Sequence, residues 1–240
     1  MGLPAWTGVI AAIVICALVG VLVELVAYRP VRRKGTSMSA LITAIAMSLL
    51  LENLVQAIPA MGPNPRVISD EIFSTAPMSL GGVSVNMAAV ITIVIAAVVM
   101  AALQIFVQKT KLGRAMRAVS ENKEASTLVG INVNRTIVTT FAIGSGLAAI
   151  AALMYCAQYH TVTTTMGSML GLKAFVAAVM GGIGLIPGAM LGGIVVGIIE
   201  ALVTAYISSS LANAVVFLIL IVMLLVKPAG ILGKNVGEKV

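Results

Sequence analysis

Long apolar runs alternate with short charged segments along this 240-residue chain. A membrane-spanning helix requires about 20 mainly apolar residues, because it must cross roughly 30 Å of hydrocarbon at about 1.5 Å per residue. The pattern predicts an all-α polytopic integral membrane helix bundle with about seven apolar segments, forming a single domain over residues 1–240. Five of the segments are separate runs, at about Trp6–Tyr28, Met38–Ile58, Asn86–Val107, Thr136–Tyr159 and Leu211–Val226.

The other two apolar segments form a predicted hairpin over residues 170–206, with Gly184-Leu-Ile-Pro187-Gly188 as its turn. Its first arm, Leu170–Ile183, is short for a full span. The pattern therefore leaves two arrangements open: the hairpin either crosses the membrane twice or is re-entrant from one side. Glycines at four-residue spacing along the second arm allow close helix packing, at Gly188, Gly192, Gly193 and Gly197.

Composition supports a membrane protein, since 60% of the residues are hydrophobic and only 10% are charged, whereas soluble domains carry about 25% charged residues. The net charge of +7 does not indicate nucleic-acid binding, because Lys and Arg concentrate at the edges of the apolar runs. Cytoplasmic loops are enriched in Lys and Arg. We therefore predict a multi-pass inner-membrane protein with its N-terminus outside and its C-terminus in the cytoplasm. Residues Pro59–Val85, which include Asp70 and Glu71, then form an extracytoplasmic loop.

The longest charged interruption is Lys109–Arg135, which contains six Lys and Arg residues and two Glu residues. Ser120 is the predicted cap of a second short helix there, with Glu121 and Glu124 in its first turn, and Gly130 is the predicted C-terminal stop. This order favours a docking element for a cytosolic partner, while the charges alone also fit a loop that only fixes topology. A first short helix is predicted from an apolar face formed by Leu112, Ala115, Met116 and Val119.

Four charged residues fall inside the predicted spans, where ionisable side chains are rare and often functional. Glu24 precedes the Arg29–Lys34 cluster and is predicted to snorkel toward those arginines. Lys173 and Glu200 face each other across the hairpin, which predicts a structural ion pair, since a paired charge is less costly in lipid. A polar stripe in the second span either lines a substrate path or is satisfied inside the bundle; it comprises Glu52, Asn53 and Gln56.

Motifs for enzyme chemistry are missing from the sequence. It contains no G-x-x-x-x-G-K-[ST] phosphate loop, no nucleophile elbow and no H-E-x-x-H zinc motif. We therefore expect no catalytic residues, no metal site and no cofactor in this chain. His160 is the single histidine of the sequence, and we expect no metal site at it. Cys16 and Cys156 are predicted to be free thiols that pack among apolar side chains.

Within the charged loop, Glu124-Ala125-Ser126-x3-Gly130 resembles the EAA-x3-G signature of bacterial ABC importer permeases, with Ser in place of the second Ala. The later Ile and Leu-Pro of that signature are not found at the usual distances. Three further stretches are similar to LivH-type permease subunits for branched-chain amino acids, and together the similarity covers most of the chain. These stretches are Glu24–Arg33, Gly171–Gly193 and Leu225–Gly233.

The resemblance implies a transmembrane permease subunit of an ABC importer for branched-chain amino acids, which moves substrate by alternating access. In such importers separate ATPase subunits bind the ATP and receive coupling helices from the permease, here from residues 109–135. A second related permease subunit and a periplasmic substrate-binding protein are the other implied partners, beside the lipid bilayer. The residues assigned to ATPase coupling are Arg114, Arg117, Glu121, Glu124, Ala125 and Gly130.

Other functions stay open at this stage. An ion- or proton-coupled secondary transporter or channel would use Glu52 and Glu200 for the coupling ion, although the two halves show no convincing repeat. Cousins of the resembled family move urea or short amides, which leaves the substrate open as well. The family's usual first membrane segment does not precede Met1, so we expect an N-terminal truncation or a shortened variant. A purely structural membrane subunit also fits that expectation.

Overall fold

The computed structural model describes residues 5–34, 37–58, 62, 64–67, 78–80, 83–182, 184–227 and 229–233. Among these residues, six helical stretches are long and apolar enough to cross a membrane, and a shorter apolar helix covers Met166–Gly181. The fold is an all-α polytopic membrane bundle, as the apolar pattern predicts. The six stretches are Thr7–Arg32, Met38–Ala57, Met87–Lys109, Val133–Tyr159, Ile186–Tyr206 and Ser209–Val226.

Helices account for most of the described chain, and short strands occur only in connecting segments. The helices are α1 (Ala5–Val23), a π-helical turn (Glu24–Tyr28), α2 (Arg29–Lys34), α3 (Ser37–Ala57), α4 (Met87–Lys109), α5 (Lys111–Glu121), α6 (Lys123–Leu128), α7 (Val133–Tyr159), α8 (Met166–Gly181), α9 (Ile186–Tyr206) and α10 (Ser209–Val226). The strands are β1 (Arg66–Val67), β2 (Met78–Leu80), β3 (Val83–Val85) and β4 (Thr161–Val162), and the apolar pattern did not predict them.

Polar side chains set where several long helices begin. Asn132 Oδ1 accepts a hydrogen bond from Arg135 N at 3.0 Å at the start of α7. Ser208 Oγ accepts one from Ser210 N at 3.3 Å at the start of α10. Each cap satisfies an N–H group that has no partner within its helix. Both helices therefore begin slightly before the predicted apolar runs.

The chain divides into two compact units. One comprises Met1–Ala97 and Ile105–Thr165, and the other comprises Val98–Gln104 and Met166–Val240. The single domain expected over residues 1–240 stays a prediction.

In the first unit, α1 and the helical turns that continue it pack antiparallel against α7. The rings of Tyr28 and Phe141 lie 5.0 Å apart, and a Cβ added to Gly20 would overlap the side chain of Ser145. Small residues at such contacts let two helices approach closely in a membrane. Later residues of α7 meet earlier residues of α1, which fixes the antiparallel direction.

At the C-terminal end of α7, β4 pairs with β1 in an antiparallel ladder that joins Arg66 to Val162. Strands β2 and β3 form a second ladder of the same kind. Most of the predicted extracytoplasmic loop, including Asp70 and Glu71, lies outside the described residues. Strand β1 of this loop therefore lies at the opposite end of α7 from the charged loop.

In the second unit, α8 and α9 form the predicted hairpin, and α10 packs against both. A Cβ on Gly181 would overlap the backbone of Gly188, and one on Gly192 would overlap the carbonyl of Ala177. The predicted glycine ladder therefore packs against α8 through its Gly188 and Gly192 positions. The buried side chains of this unit's core are Val176, Met180, Val196 and Val216.

Helix α8 has 16 residues, or about 24 Å at 1.5 Å per residue, and its start at Met166 is earlier than predicted. The segment after α10 packs against the last turn of α8. Ile231 N donates to Met180 O at 2.8 Å, and Leu232 N donates to Gly181 O at 3.3 Å. These bonds satisfy carbonyls that the end of a helix leaves free. The C-terminal ends of α8 and α10 therefore lie side by side.

Candidate coupling site

Two short helices, α5 and α6, form most of the predicted coupling loop. Thr110 fixes the corner before α5, because its Oγ1 donates to Phe106 O at 2.7 Å and accepts from Gly113 N at 3.0 Å. Val119 of α5 and Ser126 of α6 are buried. Both helices contact α7, so the loop is held against the membrane bundle.

The cap of α6 is Asn122, so the prediction of Ser120 as its cap is wrong. Asn122 Oδ1 accepts hydrogen bonds from Glu124 N at 2.9 Å and from Ala125 N at 3.0 Å. Ser120 lies inside α5, where its hydroxyl bonds to a carbonyl of the same helix. Because α5 continues to Glu121, the prediction that this residue lies in the first turn of the second helix is wrong. Glu124 lies in the first turn of α6 as predicted.

Gly130 ends α6 with a φ of 85°, in the left-handed region, as predicted. Gly130 N donates to Thr127 O, and Ile131 N donates to Ser126 O, both at 3.0 Å. This pair of bonds forms a Schellman motif, in which a residue at positive φ lets the backbone satisfy the last helical carbonyls. A Cβ at Gly130 would meet no described atom within 4 Å. The backbone angle, not the available space, therefore restricts this position.

The residues assigned to ATPase coupling share one property, which is exposure on α5, α6 or the connections that follow them. A docking surface requires this exposure, although the coupling role itself stays a prediction. Leu112, placed in the predicted apolar face of α5, is also exposed. The exposed assigned residues are Arg114, Arg117, Glu121, Glu124, Ala125 and Gly130.

Two apolar residues that the sequence pattern did not single out lie at the end of α6. Leu128 is 89% exposed and Val129 is 81% exposed. Single exposed apolar residues are common on proteins, but this adjacent pair projects from a helix fixed at both ends by Asn122 and Gly130. The sequence signal for Leu128 and Val129 is their position: they are two adjacent apolar residues directly before the stop glycine of a polar loop.

Glu24 is wholly buried, with 0% of its side chain exposed, so the prediction that it snorkels is wrong. Its Oε1 lies 3.1 Å from Arg32 Nη2, and the same Nη2 donates to Asn134 Oδ1 at 2.9 Å. A buried carboxylate is strongly unfavourable unless it is paired, which explains the contact with Arg32. The sequence pattern pointed to an arginine partner from the following cluster, but not to Asn134.

Lys173 and Glu200 meet across the hairpin, where Lys173 Nζ donates to Glu200 Oε1 at 2.6 Å. The two residues lie at different distances from the hairpin turn: Lys173 is eight residues before the end of α8, and Glu200 is fourteen residues after the start of α9. Helical side chains tilt toward the N-terminus of their helix. The lysine therefore points away from the turn and the glutamate points toward it, which brings their charged ends together. The side chains are 22% and 34% exposed. Their structural role stays a prediction.

The predicted polar stripe lies in α3. Asn53 is exposed and its Nδ2 donates to Leu49 O of the same helix at 2.7 Å, while Glu52 and Gln56 are half-buried. Their place in a substrate path stays a prediction. Across the part of the chain that the structure describes, no group of three or more His, Cys, Asp or Glu side chains is arranged to hold a metal ion.

Comparison with known proteins bears on the class of this membrane bundle. Residues 1–226 match the family model described as the permease component of branched-chain amino acid transport systems. BraD of Pseudomonas aeruginosa, a high-affinity branched-chain amino acid transport system permease protein, is 40% identical over 96% of this chain and 75% of its own length. LivH of Escherichia coli, with the same description, is 43% identical over 97% of this chain and 76% of its own length. No solved structure matches the chain.

The membrane helices and these relatives show that the chain is a transport permease and not an enzyme. The chain belongs to the family of permease components of branched-chain amino acid transport systems. A shorter stretch, 33% of this chain, is 40% identical to the autoinducer 2 import system permease protein LsrC of Klebsiella pneumoniae and covers 23% of that protein. Part of the sequence is therefore shared with a permease named for a different cargo.

Proposed function

We propose that this chain is the transmembrane permease subunit of an ABC importer for branched-chain amino acids, which moves substrate by alternating access. Separate ATPase subunits bind ATP and drive the movement, and a periplasmic substrate-binding protein and a second related permease complete the assembly. The substrate class is supported by relatives that are named for branched-chain amino acids and align with almost the whole chain.

The observation that carries the coupling role is the exposed apolar end of α6. Leu128 and Val129 project from a helix that is capped by Asn122 and stopped by Gly130. Covering apolar surface is favourable by about 25 cal/mol per Å², so a partner that docks here gains free energy from this pair. Exposed charged residues of both signs lie on the same two short helices, α5 and α6. An apolar centre with a polar rim is the usual anatomy of a protein interface.

We propose that the N-terminus lies outside and that the charged loop and the C-terminus lie in the cytoplasm. In the first unit, the contact of Arg32 with Asn134 brings the basic end of the first helix and the charged loop to one end. The β1–β4 ladder lies at the other end of α7. Since Lys and Arg are enriched on the cytoplasmic side, the end with the charged loop faces the cytoplasm.

We also propose that both arms of the hairpin cross the membrane. The turn after α8 packs against residues 229–233, which follow α10 and Lys227 at the polar end of the last span. A turn at that level lies near the membrane surface and not at mid-depth. The length of α8, about 24 Å, is somewhat less than the roughly 30 Å hydrocarbon core, a mismatch that local thinning of the bilayer accommodates.

The secondary-transporter alternative receives no support from the structure. It assigns the coupling ion to Glu200, whose Oε1 already accepts a hydrogen bond from Lys173. It also gives no role to the exposed apolar end of α6, which the importer explains by docking of the ATPase.

Gly130 tests the coupling role through the backbone turn that ends α6, while Leu128 and Val129 themselves stay unchanged. Gly130→Val places a β-branched residue at a φ of 85°, which costs about 1 kcal/mol or more and disfavours the turn that ends α6. With the ATPase subunits co-expressed, we expect this variant to lose ATPase co-purification and substrate-stimulated ATP hydrolysis, while its expression and detergent stability stay near wild type.

Gly130→Asn is the matched control, because Asn tolerates the left-handed region. We expect this variant to keep both ATPase association and ATP hydrolysis. Full ATPase association of the Val variant would count against the coupling role. A wild-type chain that brings no ATPase subunit with it would contradict the proposed importer as a whole.

A further inference from the structure

A series of polar contacts joins the loop after α6 to the first helix. Its inner end is Glu24, the wholly buried first residue of the π-helical turn. Such turns are rare and frequently occur at functional sites. Neither carboxylate oxygen of Glu24 accepts a hydrogen bond from the residues that the structure describes. Among those residues, the ion pair with Arg32 therefore compensates the buried charge.

The π-helical turn sets the alignment of Glu24 with Arg32. Each residue of an α-helix turns about 100°, so the eight residues from 24 to 32 would leave Arg32 about 80° around the axis from Glu24. A π-helical turn takes up one extra residue, which reduces this offset to about 20°. The two side chains therefore share one face of the helix, where Arg32 Nη2 lies 3.1 Å from Glu24 Oε1.

The outer end of the series is Asn134, the second residue of α7, which accepts a hydrogen bond from Arg32 Nη2 at 2.9 Å. The path from Asn134 back to α6 is short and bonded. Ile131 N donates to Ser126 O at 3.0 Å, and Asn132 caps α7 with its side chain. A displacement of α6 is therefore passed to Asn134 through a short segment of backbone that hydrogen bonds hold in place.

We propose that Asn134 and Arg32 are positioning residues that transmit movement of α6 to the first helix during transport. This inference rests on the proposed coupling role of α6 and adds the route by which the movement enters the membrane helices. Glu24 holds Arg32 on the first helix. The packing of Tyr28 on Phe141 keeps that helix against α7, and the Arg32–Asn134 contact adds the polar link that the proposal requires.

Asn134→Ala separates transmission from stability, because it removes the acceptor on α7 and leaves the Glu24–Arg32 pair intact. In the complete importer in proteoliposomes, we expect normal ATPase association and an unchanged thermal unfolding temperature. Labelled leucine transported per ATP hydrolysed should fall by about fivefold or more, the size of a modest coupling between two sites. Asn134→Asp, which keeps an acceptor for Arg32, should restore the wild-type ratio.

Thr139→Val is the matched control on the same helix, because the Thr139 hydroxyl donates to carbonyls of α7 itself. It should keep the wild-type ratio of leucine to ATP. A wild-type ratio in Asn134→Ala would overturn the transmission role and leave the proposed importer standing. A parallel loss of folding and ATPase association in Asn134→Ala would also overturn it, because the network would then be purely structural. Absence of ATP-driven leucine transport in the wild type would instead reject the proposed function.

Discussion

At the scale of residues, ionisable side chains inside the spans are stabilised by partners from neighbouring turns or helices. Glu24 is wholly buried against Arg32, while Lys173 and Glu200 form a partly exposed pair between two helices. Breaking such a pair leaves one charge without its partner, which is more unfavourable than removing both charges. The Lys173–Glu200 contact is therefore suited to a double-mutant cycle.

Lys173→Met should destabilise the protein more than the double change Lys173→Met with Glu200→Gln. The physical reason is that the single change leaves the Glu200 carboxylate unpaired in the span. Thermal unfolding in detergent of the wild type, both single variants and the double variant measures the coupling, which we expect to be about 1 kcal/mol or more. Strictly additive effects would show that the contact contributes no pairwise stability.

The same residues show how far sequence reasoning reaches. Lys173 and Glu200 could be paired from the sequence because the short turn of the hairpin determines which residues of its two arms lie at similar depth in the membrane. Asn134 could not be found in this way, because its meeting with Arg32 depends on how α1 and α7 pack across a sequence separation of 102 residues. The π-helical turn that aligns Glu24 with Arg32 likewise leaves no mark in apolar periodicity.

At the scale of elements, apolar runs predicted the spans, and helix-stop chemistry predicted where the second short helix of the charged loop ends. The residues that cap the helices could not be predicted in this way. Gly130 was predictable because few other residues tolerate positive φ at the end of a helix. The cap of α6 was misplaced because Ser120 and Asn122 are both good caps, and only the observed length of α5 decides between them. Leu128 and Val129 could be recognised as an exposed pair only from the solvent exposure that the structure gives.

Accessibility of single cysteines tests where these elements lie in the membrane. In a chain without Cys16 and Cys156, we expect Asn64→Cys to react with an impermeant thiol reagent added to intact cells. Lys123→Cys on α6 and Leu185→Cys in the hairpin turn should react only after the membrane is opened, because basic segments face the cytoplasm. Labelling of Leu185→Cys from outside would contradict the two crossings, and labelling of Lys123→Cys from outside would reverse the orientation.

At the scale of the whole molecule, three observations support one proposed function. They are membership of a family of permease components, a membrane bundle, and the exposed apolar pair Leu128 and Val129 at the end of α6. The substrate class rests on the relatives that are named for branched-chain amino acids. The similarity of a shorter stretch to a permease named for autoinducer 2 import shows that related sequences serve other cargo. The central claim is therefore ATP-driven import of a branched-chain amino acid through this chain.

The most direct test is uptake of labelled leucine by the assembled importer in proteoliposomes, with ATP inside and the substrate-binding protein outside. We predict uptake that requires both ATP and the binding protein and that excess unlabelled isoleucine or valine suppresses. Excess urea or acetamide should leave it unchanged. Uptake driven by an ion gradient without ATP, or uptake suppressed by the amides and not by isoleucine or valine, would contradict the proposed function.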